Sequence, residues 1–293
     1  MEEKRRFRAS RQGINAERPE VDEDGLLLTK QEAHDVDENR SPTPQVLHET
    51  VRLEGEAELA RTAPALLWSA LAAGLSMGFS MLAPALMMAR FGDTPAGWLL
   101  AGLGYSVGFL IVILARQQLF TENTLTAVLP LMTHPRLETL LRLLRLWGLV
   151  LAGNLVGAAL FAWGVRQLDL MDATTHEALI KIGHHLMDLT SWQMFSRAVV
   201  AGWLIATLVW LLPGADTSRV TMIIVITSLI GLGGLAHIIA GAAEVLYLVF
   251  SGGATMMEFV LHFALPTLAG NVVGGSLIFA LISHAQVRGD QPE

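Results

Sequence analysis

Residues 152–160 read AGNLVGAAL, and residues 269–277 read AGNVVGGSL, 117 positions further along the chain. Each copy lies inside a long apolar segment. Upstream of each copy another apolar segment is interrupted, by FTEN at 120–123 and by GGLAH at 233–237. These interruptions contain Thr121 and His237, 116 positions apart. The chain is therefore predicted to hold a duplicated unit with one broken apolar segment in each copy, which in transport proteins marks the path of the solute.

The composition indicates a membrane protein with a charged N-terminal tail. The 293 residues are 52% hydrophobic, and 15 of the 27 acidic residues lie in residues 1–60. That balance is typical of a chain with several membrane spans. We expect residues 1–60 to form a largely disordered cytoplasmic tail, residues 61–285 to form the membrane domain, and residues 286–293 to form a short cytoplasmic tail.

Six apolar segments follow the tail, and a span needs about 20 residues. Segments one, three, four and six reach that length unbroken, whereas two and five reach it only across the interruptions near 120–124 and 231–243. Irregular backbone is tolerated at membrane depth only when it is buried in protein or lines a cavity. A simple glycine kink is the alternative. The expected segments are 65–89, 99–119 (continued at 125–132), 140–165, 195–212, 220–250 and 259–283.

The basic residues between the segments predict the orientation. With the tail inside, the cytoplasmic loops hold most of the Arg and Lys residues, as cytoplasmic loops usually do. Both termini are therefore expected in the cytoplasm. Three spans per unit is an odd number, so the two units would lie in the membrane with opposite orientation. The expected inside residues are Arg61, Arg136, Arg142, Arg145, Arg219 and Arg288; the outside ones are Arg90, Arg166 and Lys181.

Asn154 and Asn271 are the polar members of the repeated motif. Their amides could bind the backbone groups that the broken segments leave free, and ordinary helix packing is the alternative. Gly153 and Gly270 belong to small-residue faces that let two helices approach closely. We expect these four residues to have a structural role.

Thr121 and His237 are the sharpest candidates for contact with a solute. A threonine hydroxyl donates and accepts hydrogen bonds, and histidine exchanges a proton near neutral pH. A histidine inside the membrane is costly unless it has a partner. The alternative for His237 is a structural bond to a helix. Neighbouring apolar side chains are expected to form the constrictions of the path, namely Leu119, Phe120 and Leu235.

Three ionisable residues flank the interruptions. Because an unpaired charge at membrane depth is costly, Arg116 is expected to pair with Glu122 or Glu244 in an intramembrane charge network. No motif predicts an enzyme, a cofactor or a metal site, since the chain has no cysteine and no phosphate-binding loop. The basic residues form no patch that would favour nucleic acid.

Together these elements resemble the formate/nitrite transporter family and, within it, the YfdC-like branch. The similarity covers residues 60–285 and rests on the two Gly-Asn motifs, the Leu-Phe-Thr break at 119–121 and the Ala-His break at 236–237. The resemblance implies an all-α membrane protein with six transmembrane helices in two inverted three-helix repeats, an aquaporin-like bundle with broken second and fifth helices. It also implies a homopentamer with one pore in each chain, located in the inner (plasma) membrane.

The function expected from these residues is a channel or transporter for small monovalent anions or their neutral acids. A bare anion loses hydration in an apolar constriction. Either hydrogen bonds from Thr121 and His237 would compensate for that loss, or a proton passed through His237 would let the neutral acid cross. Two alternatives stay open: a neutral-solute pore, and a non-conducting scaffold whose tail binds a partner. The expected partners are the solute, membrane lipid and further copies of the chain.

Overall fold

A computed structural model describes residues 20–21, 27–28, 41–215 and 217–289. The chain divides into two units, Met1–Pro42 and Thr43–Glu293. In the first unit, strands β1 (Glu20–Val21) and β2 (Leu27–Leu28) pair antiparallel, with Glu20 opposite Leu28. The rest of the predicted tail up to residue 40 lies outside the described residues.

All regular secondary structure in the described part of the second unit is helical. Helix α2 has two pieces joined at Gly78, and α3 has two pieces joined at Tyr105. Within α10, the stretches Phe259–Ala264 and Val273–Ala280 are π-helical. The helices are α1 (Pro44–Leu59), α2 (Ala63–Met77 and Phe79–Phe91), α3 (Pro95–Gly104 and Ser106–Leu114), α4 (Leu129–Thr133), α5 (Leu137–Gln167), α6 (Ala173–Met187), α7 (Ser191–Leu211), α8 (Arg219–Leu232), α9 (Ile238–Phe250) and α10 (Met256–Gly289).

Helices α2, α3, α5, α7 and α10 are long and apolar enough to cross a membrane. Helices α8 and α9 are apolar but have only 14 and 13 residues. The irregular backbone between them is residues 233–237, so the predicted interruption at 231–243 was too long. Residues 241–243 are helical. A Cβ atom on Gly241 would lie 2.7 Å from the ring of Phe263, so the glycine serves close packing of α9 on α10 and not a break.

Two helix crossings repeat the same contact in the two halves of the chain. Helix α5 lies so close to α2 that a Cβ atom on Gly74 would be 2.1 Å from the carbonyl oxygen of Asn154. Helix α10 crosses α7 in the same way, and a Cβ atom on Gly202 would be 2.3 Å from the carbonyl oxygen of Asn271. Such contacts are typical of membrane helices, which associate through small residues.

The glycines of the repeated motif lie in these crossings. A Cβ atom on Gly153 would be 2.6 Å from the Ala70 Cβ atom, and one on Gly270 would be 2.4 Å from the Phe195 carbonyl oxygen. Each glycine therefore sets how closely its two helices approach.

Helix α1 belongs to the helical unit, although its residues were predicted to be part of a disordered tail. Its buried face carries Val51 and Gly55, and a Cβ atom on Gly55 would be 1.9 Å from the Thr126 carbonyl oxygen. His48 bonds His284 of α10, with 3.0 Å between Nε2 and Nδ1. The compact unit thus begins at Thr43 and not at residue 61.

We call the face of this unit that α1 covers the tail face, and the opposite face, where α6 lies, the far face.

Helix α6, on the far face, occupies a region predicted to be a loop. Its first turn is capped by Asp172, whose carboxylate accepts a hydrogen bond from the Thr175 amide at 2.8 Å. The buried side chains of Leu179 and Leu186 lie on one side of it. The charged residues of the opposite side concealed this amphipathic helix in the sequence.

Candidate functional site

Thr121 and His237 meet at the centre of the unit. The Thr121 Oγ1 atom lies 2.7 Å from the His237 Nε2 atom, and both residues are at most 1% exposed. Each lies in the break of an interrupted segment: Thr121 lies after the end of α3, and His237 immediately precedes α9. Two positions 116 residues apart in sequence are therefore joined by a direct hydrogen bond.

The other nitrogen of His237 decides the direction of that bond. His237 caps α9, and its Nδ1 atom accepts from the Ile239 and Ala240 amides at 3.3 and 3.2 Å. A nitrogen that accepts two N–H groups carries no proton, so the proton of the neutral ring is on Nε2. His237 Nε2–H therefore donates to Thr121. The Thr121 hydroxyl has no other hydrogen bond in the described part of the chain, so its own proton is free to be donated.

Asn154 holds the first break. Its Oδ1 atom accepts from the Phe120 amide at 2.9 Å, and its Nδ2 atom donates to the carbonyl oxygens of Ala70 and Gln118, both at 2.8 Å. The side-chain amide thus bonds two backbone groups of the irregular segment, at Phe120 and Gln118, and one carbonyl oxygen of the crossing helix α2, at Ala70.

Asn271 holds the second break with the same three bonds. Its Oδ1 atom accepts from the Ile238 amide at 2.9 Å. Its Nδ2 atom donates to the carbonyl oxygens of Ala198 at 2.8 Å and Ala236 at 3.0 Å. The two asparagines therefore place Thr121 and His237 by matching networks, one in each half.

A second set of bonds ties the backbone of Thr121 to α10. The Thr124 hydroxyl donates to the Thr121 carbonyl oxygen at 2.7 Å, and Ser276 donates to the Thr124 carbonyl oxygen at 2.6 Å. A Cβ atom on Gly275 would be 2.1 Å from Thr124 Oγ1. The second π-helical stretch of α10 thus brings Gly275 and Ser276 against the first break.

Two cavities approach the pair from opposite faces. His237 and Leu235 line the far-face cavity, while Gln118 and Asn123 line the tail-face cavity. Leu119 and Phe120 are buried, and the Phe120 ring packs on Trp147 with 5.7 Å between centroids. Other polar and charged residues of the far-face cavity are Tyr105, His185, Arg197 and Glu244; those of the tail-face cavity are Glu54, Glu58, Arg116, Gln117, Glu122, Thr126 and Arg219.

The predicted ion pair of Arg116 is wrong. Arg116 and Glu122 line the tail-face cavity, but no ion pair within 4.0 Å joins Arg116 to either glutamate among residues 41–215 and 217–289. Arg116 is exposed and has a φ of 51°, because the chain turns sharply after α3 ends at Leu114. Glu244 lies in the far-face cavity, so the predicted network is divided between two cavities.

Several residues of the site were not predicted. The Phe109 ring packs edge-on against His237 with 5.0 Å between centroids. Arg197 Nη1 donates to the Gly234 carbonyl oxygen at 3.1 Å, at a position where Gly234 has a φ of +55°. The signal for Arg197 was present in the sequence, since it is a charged residue inside the fourth apolar segment.

Two exposed, oppositely charged side chains on the far face form an ion pair. Lys181 donates to Asp93, as does the Trp98 indole at 2.7 Å. These two hydrogen bonds hold the pKa of Asp93 below its usual value, the bond from Lys181 having the larger effect. Within the described residues no group of three or more His, Asp and Glu side chains could hold a metal ion.

Comparison with known proteins shows the family to which the chain belongs. Residues 45–285 match the family model of the formate/nitrite transporters. The chain is 50% identical to the inner membrane protein YfdC of Escherichia coli (strain K12) over 257 residues, 87% of this chain and 83% of that protein. It is 25% identical to the formate channel BtFdhC of Bacillus thuringiensis over 248 residues, 80% of this chain and 91% of that protein.

Two solved structures share the fold. A pentameric formate channel with formate bound superposes with a TM-score of 0.67 at 22% identity, covering 78% of this chain and 98% of that one. An FNT family ion channel superposes with a TM-score of 0.71 at 16% identity, covering 82% and 98%. The chain, a helical membrane protein, therefore belongs to the formate/nitrite transporter family, whose members are channels and transporters and not enzymes.

Proposed function

We propose that this protein is a pore for a small monovalent weak acid such as formic acid, moved across the membrane as the anion and its proton. The observation that carries the proposal is the Thr121–His237 pair, which joins the two breaks between the two cavities. The formate channels among its relatives support the choice of solute.

Positive charges in both cavities support an anionic solute. Arg197 lines the far-face cavity beside Glu244, and Arg116 and Arg219 line the tail-face cavity beside Glu54, Glu58 and Glu122. A cation in a partly desolvated cavity raises the local concentration of small anions. Between the cavities, Leu119 and Phe120 offer no polar group that would replace the hydration of a bare anion. A neutral acid crosses such a constriction at a lower cost.

Thr121 is the group proposed to bind the solute in the constriction. Its oxygen accepts from His237, so its free hydroxyl proton can be donated to a solute oxygen. His237 would then orient Thr121 and stay neutral, since protonation of Nδ1 would replace two backbone hydrogen bonds by repulsion. This role replaces the proton relay through His237 that the sequence suggested.

We also propose the membrane topology, the location and the assembly of the protein. The matching asparagine networks support two inverted three-helix repeats and six crossings, with α8 and α9 together forming the fifth. Helices α1 and α10 meet on the tail face, so the two ends of the helical unit lie on one side. The relatives support an inner-membrane homopentamer in lipid, with one pore in each chain.

A flux panel tests the function. Purified protein in liposomes should admit formate with one proton and exclude nitrate, the anion of a strong acid. Release of both anions at equal rates would show an anion channel without proton coupling. Movement of neutral solutes alone would identify a neutral-solute pore. Vesicles that stay impermeable to every solute would favour a non-conducting scaffold that binds a partner through its tail.

Cysteine labelling tests the orientation, because the chain has no cysteine of its own. We expect Thr174→Cys, on the exposed start of α6, to react with a membrane-impermeant maleimide added to intact spheroplasts. Arg136→Cys, on the tail face, should react only after the membrane is permeabilised. The reverse pattern would place both termini outside, against the excess of arginine on the tail face.

A further inference from the structure

Glu244 is the buried acid that the proposed function leaves unused. It lies seven residues after His237, two turns along α9, on the same side of that helix. It is 7% exposed and lines the far-face cavity together with His237. A carboxyl group is the last side chain expected on the path of a permanent anion, because like charges repel.

No group in the described part of the chain neutralises Glu244. Its carboxyl group has no hydrogen bond and no ion pair within 4.0 Å there. The titratable or charged groups that share the cavity are Tyr105 of α3, His185 of α6, Arg197 of α7 and His237. Arg197 donates to the Gly234 carbonyl oxygen, and the His185 ring packs at a tilt against Trp98, with 5.2 Å between centroids. An ionised, unpaired carboxylate in such a cavity is costly, whereas a carboxylic acid is tolerated.

We propose that Glu244, and not His237, is the proton-exchanging group of the pore; this rests on the proposed weak-acid function. Arg197 draws the anion into the far-face cavity. The Glu244 carboxylic acid then transfers its proton to an oxygen of the anion, which leaves as the neutral acid towards Thr121. The Glu244 carboxylate takes a new proton from water at the far-face mouth. One proton and one anion are consumed for each neutral acid that enters.

Glu122 is the matching group on the other side of the constriction. It follows Thr121 directly, lines the tail-face cavity, and its buried Oε1 atom has no hydrogen-bond partner. The Nε atom of Arg219, in the same cavity, is also buried and unpaired. Glu122 first releases its own proton to water on the tail face and then takes the proton of the neutral acid, and the anion leaves past Arg219. The reverse sequence carries the acid outward.

The test compares two solutes, formate and formamide, in proteoliposomes holding wild type, Glu244→Gln or Glu244→Asp. Formate entry and the accompanying acidification should fall about 100-fold in Glu244→Gln, because the amide cannot donate a carboxylic proton. Formamide, a neutral molecule of similar size, should enter at the wild-type rate. Glu244→Asp should restore most formate entry with a displaced pH profile. Glu177→Gln is the control, since that glutamate is exposed on the same face.

The outcomes separate this inference from the function beneath it. Equal formate entry in wild type and Glu244→Gln, with the same pH profile, would overturn the role of Glu244 and leave the weak-acid pore intact. Equal loss of formate and formamide would assign Glu244 a structural role and also overturn it. Wild-type vesicles impermeable to formate would refute the proposed function and this inference with it. If Glu244→Gln fails to insert, an unchanged pH profile in Glu244→Asp decides against the proposal.

Discussion

Asn154→Leu is expected to destabilise the protein strongly. Leucine has a similar size but makes none of the three bonds to Phe120, Ala70 and Gln118. The Phe120 amide and the Gln118 carbonyl oxygen would stay buried without partners, at about 1–3 kcal/mol each, while the Ala70 carbonyl keeps its bond within α2. Thermal unfolding in detergent, followed by size-exclusion chromatography, should show a large fall in the midpoint and loss of assembled protein.

The second copy of the motif provides an internal replicate. Asn271→Leu removes the equivalent three bonds and should cost a similar amount. Val156→Leu, on the exposed side of α5, is the control and should leave the midpoint unchanged. An Asn154→Leu variant as stable as the control would mean that the break is held by the Thr124 and Ser276 bonds instead.

His237→Phe is expected to reduce solute flux to the background of empty liposomes. The variant loses the N–H that orients Thr121 and the acceptor that caps α9, and places a larger apolar ring at the constriction. Loss of a helix cap costs about 1 kcal/mol, too little to prevent folding. Formate entry should be measured beside the midpoint of thermal unfolding, so that lost flux is not confused with lost protein.

Two milder variants distinguish orientation from proton transfer. His237→Asn keeps an amide that can cap α9 and donate a hydrogen bond, and should retain part of the flux with the wild-type pH profile. Thr121→Val loses one hydroxyl, about 0.5–1.5 kcal/mol, and should reduce flux by about tenfold or less. Wild-type flux in His237→Phe would place the solute path away from the Thr121–His237 pair.

The contact between the two breaks could be predicted because the two halves of the chain repeat the same sequence motif. Copies of Gly-Asn at 153–154 and 270–271, each downstream of an interruption, indicate equivalent surroundings for the two interruptions. The direction of a side chain next to a break could not be predicted in this way. Arg116 follows a helix end with a positive φ, and beyond such a turn the period of the helix no longer tells which face a residue occupies.

The lengths of the elements were harder to predict than their existence. Gly241 and the alanines after it resemble a continued break, but in a packed membrane protein the same small residues mark close helix contact. Helix α6 was overlooked because its polar side lowers its mean hydropathy. The Asp172 cap and the four-residue spacing of Leu179 and Gly183 were the available signals.

The contact between His48 and His284 has a consequence for biosynthesis. Burial, and then the neighbouring His284, lower the pKa of His48. One ring belongs to the first helix of the unit and the other to the last. Chains are made from the N-terminus onwards, yet the contact of α1 with α10 can form only after α10 has been made. The first helix of the unit therefore completes its packing last, and a chain truncated before α10 cannot form this contact.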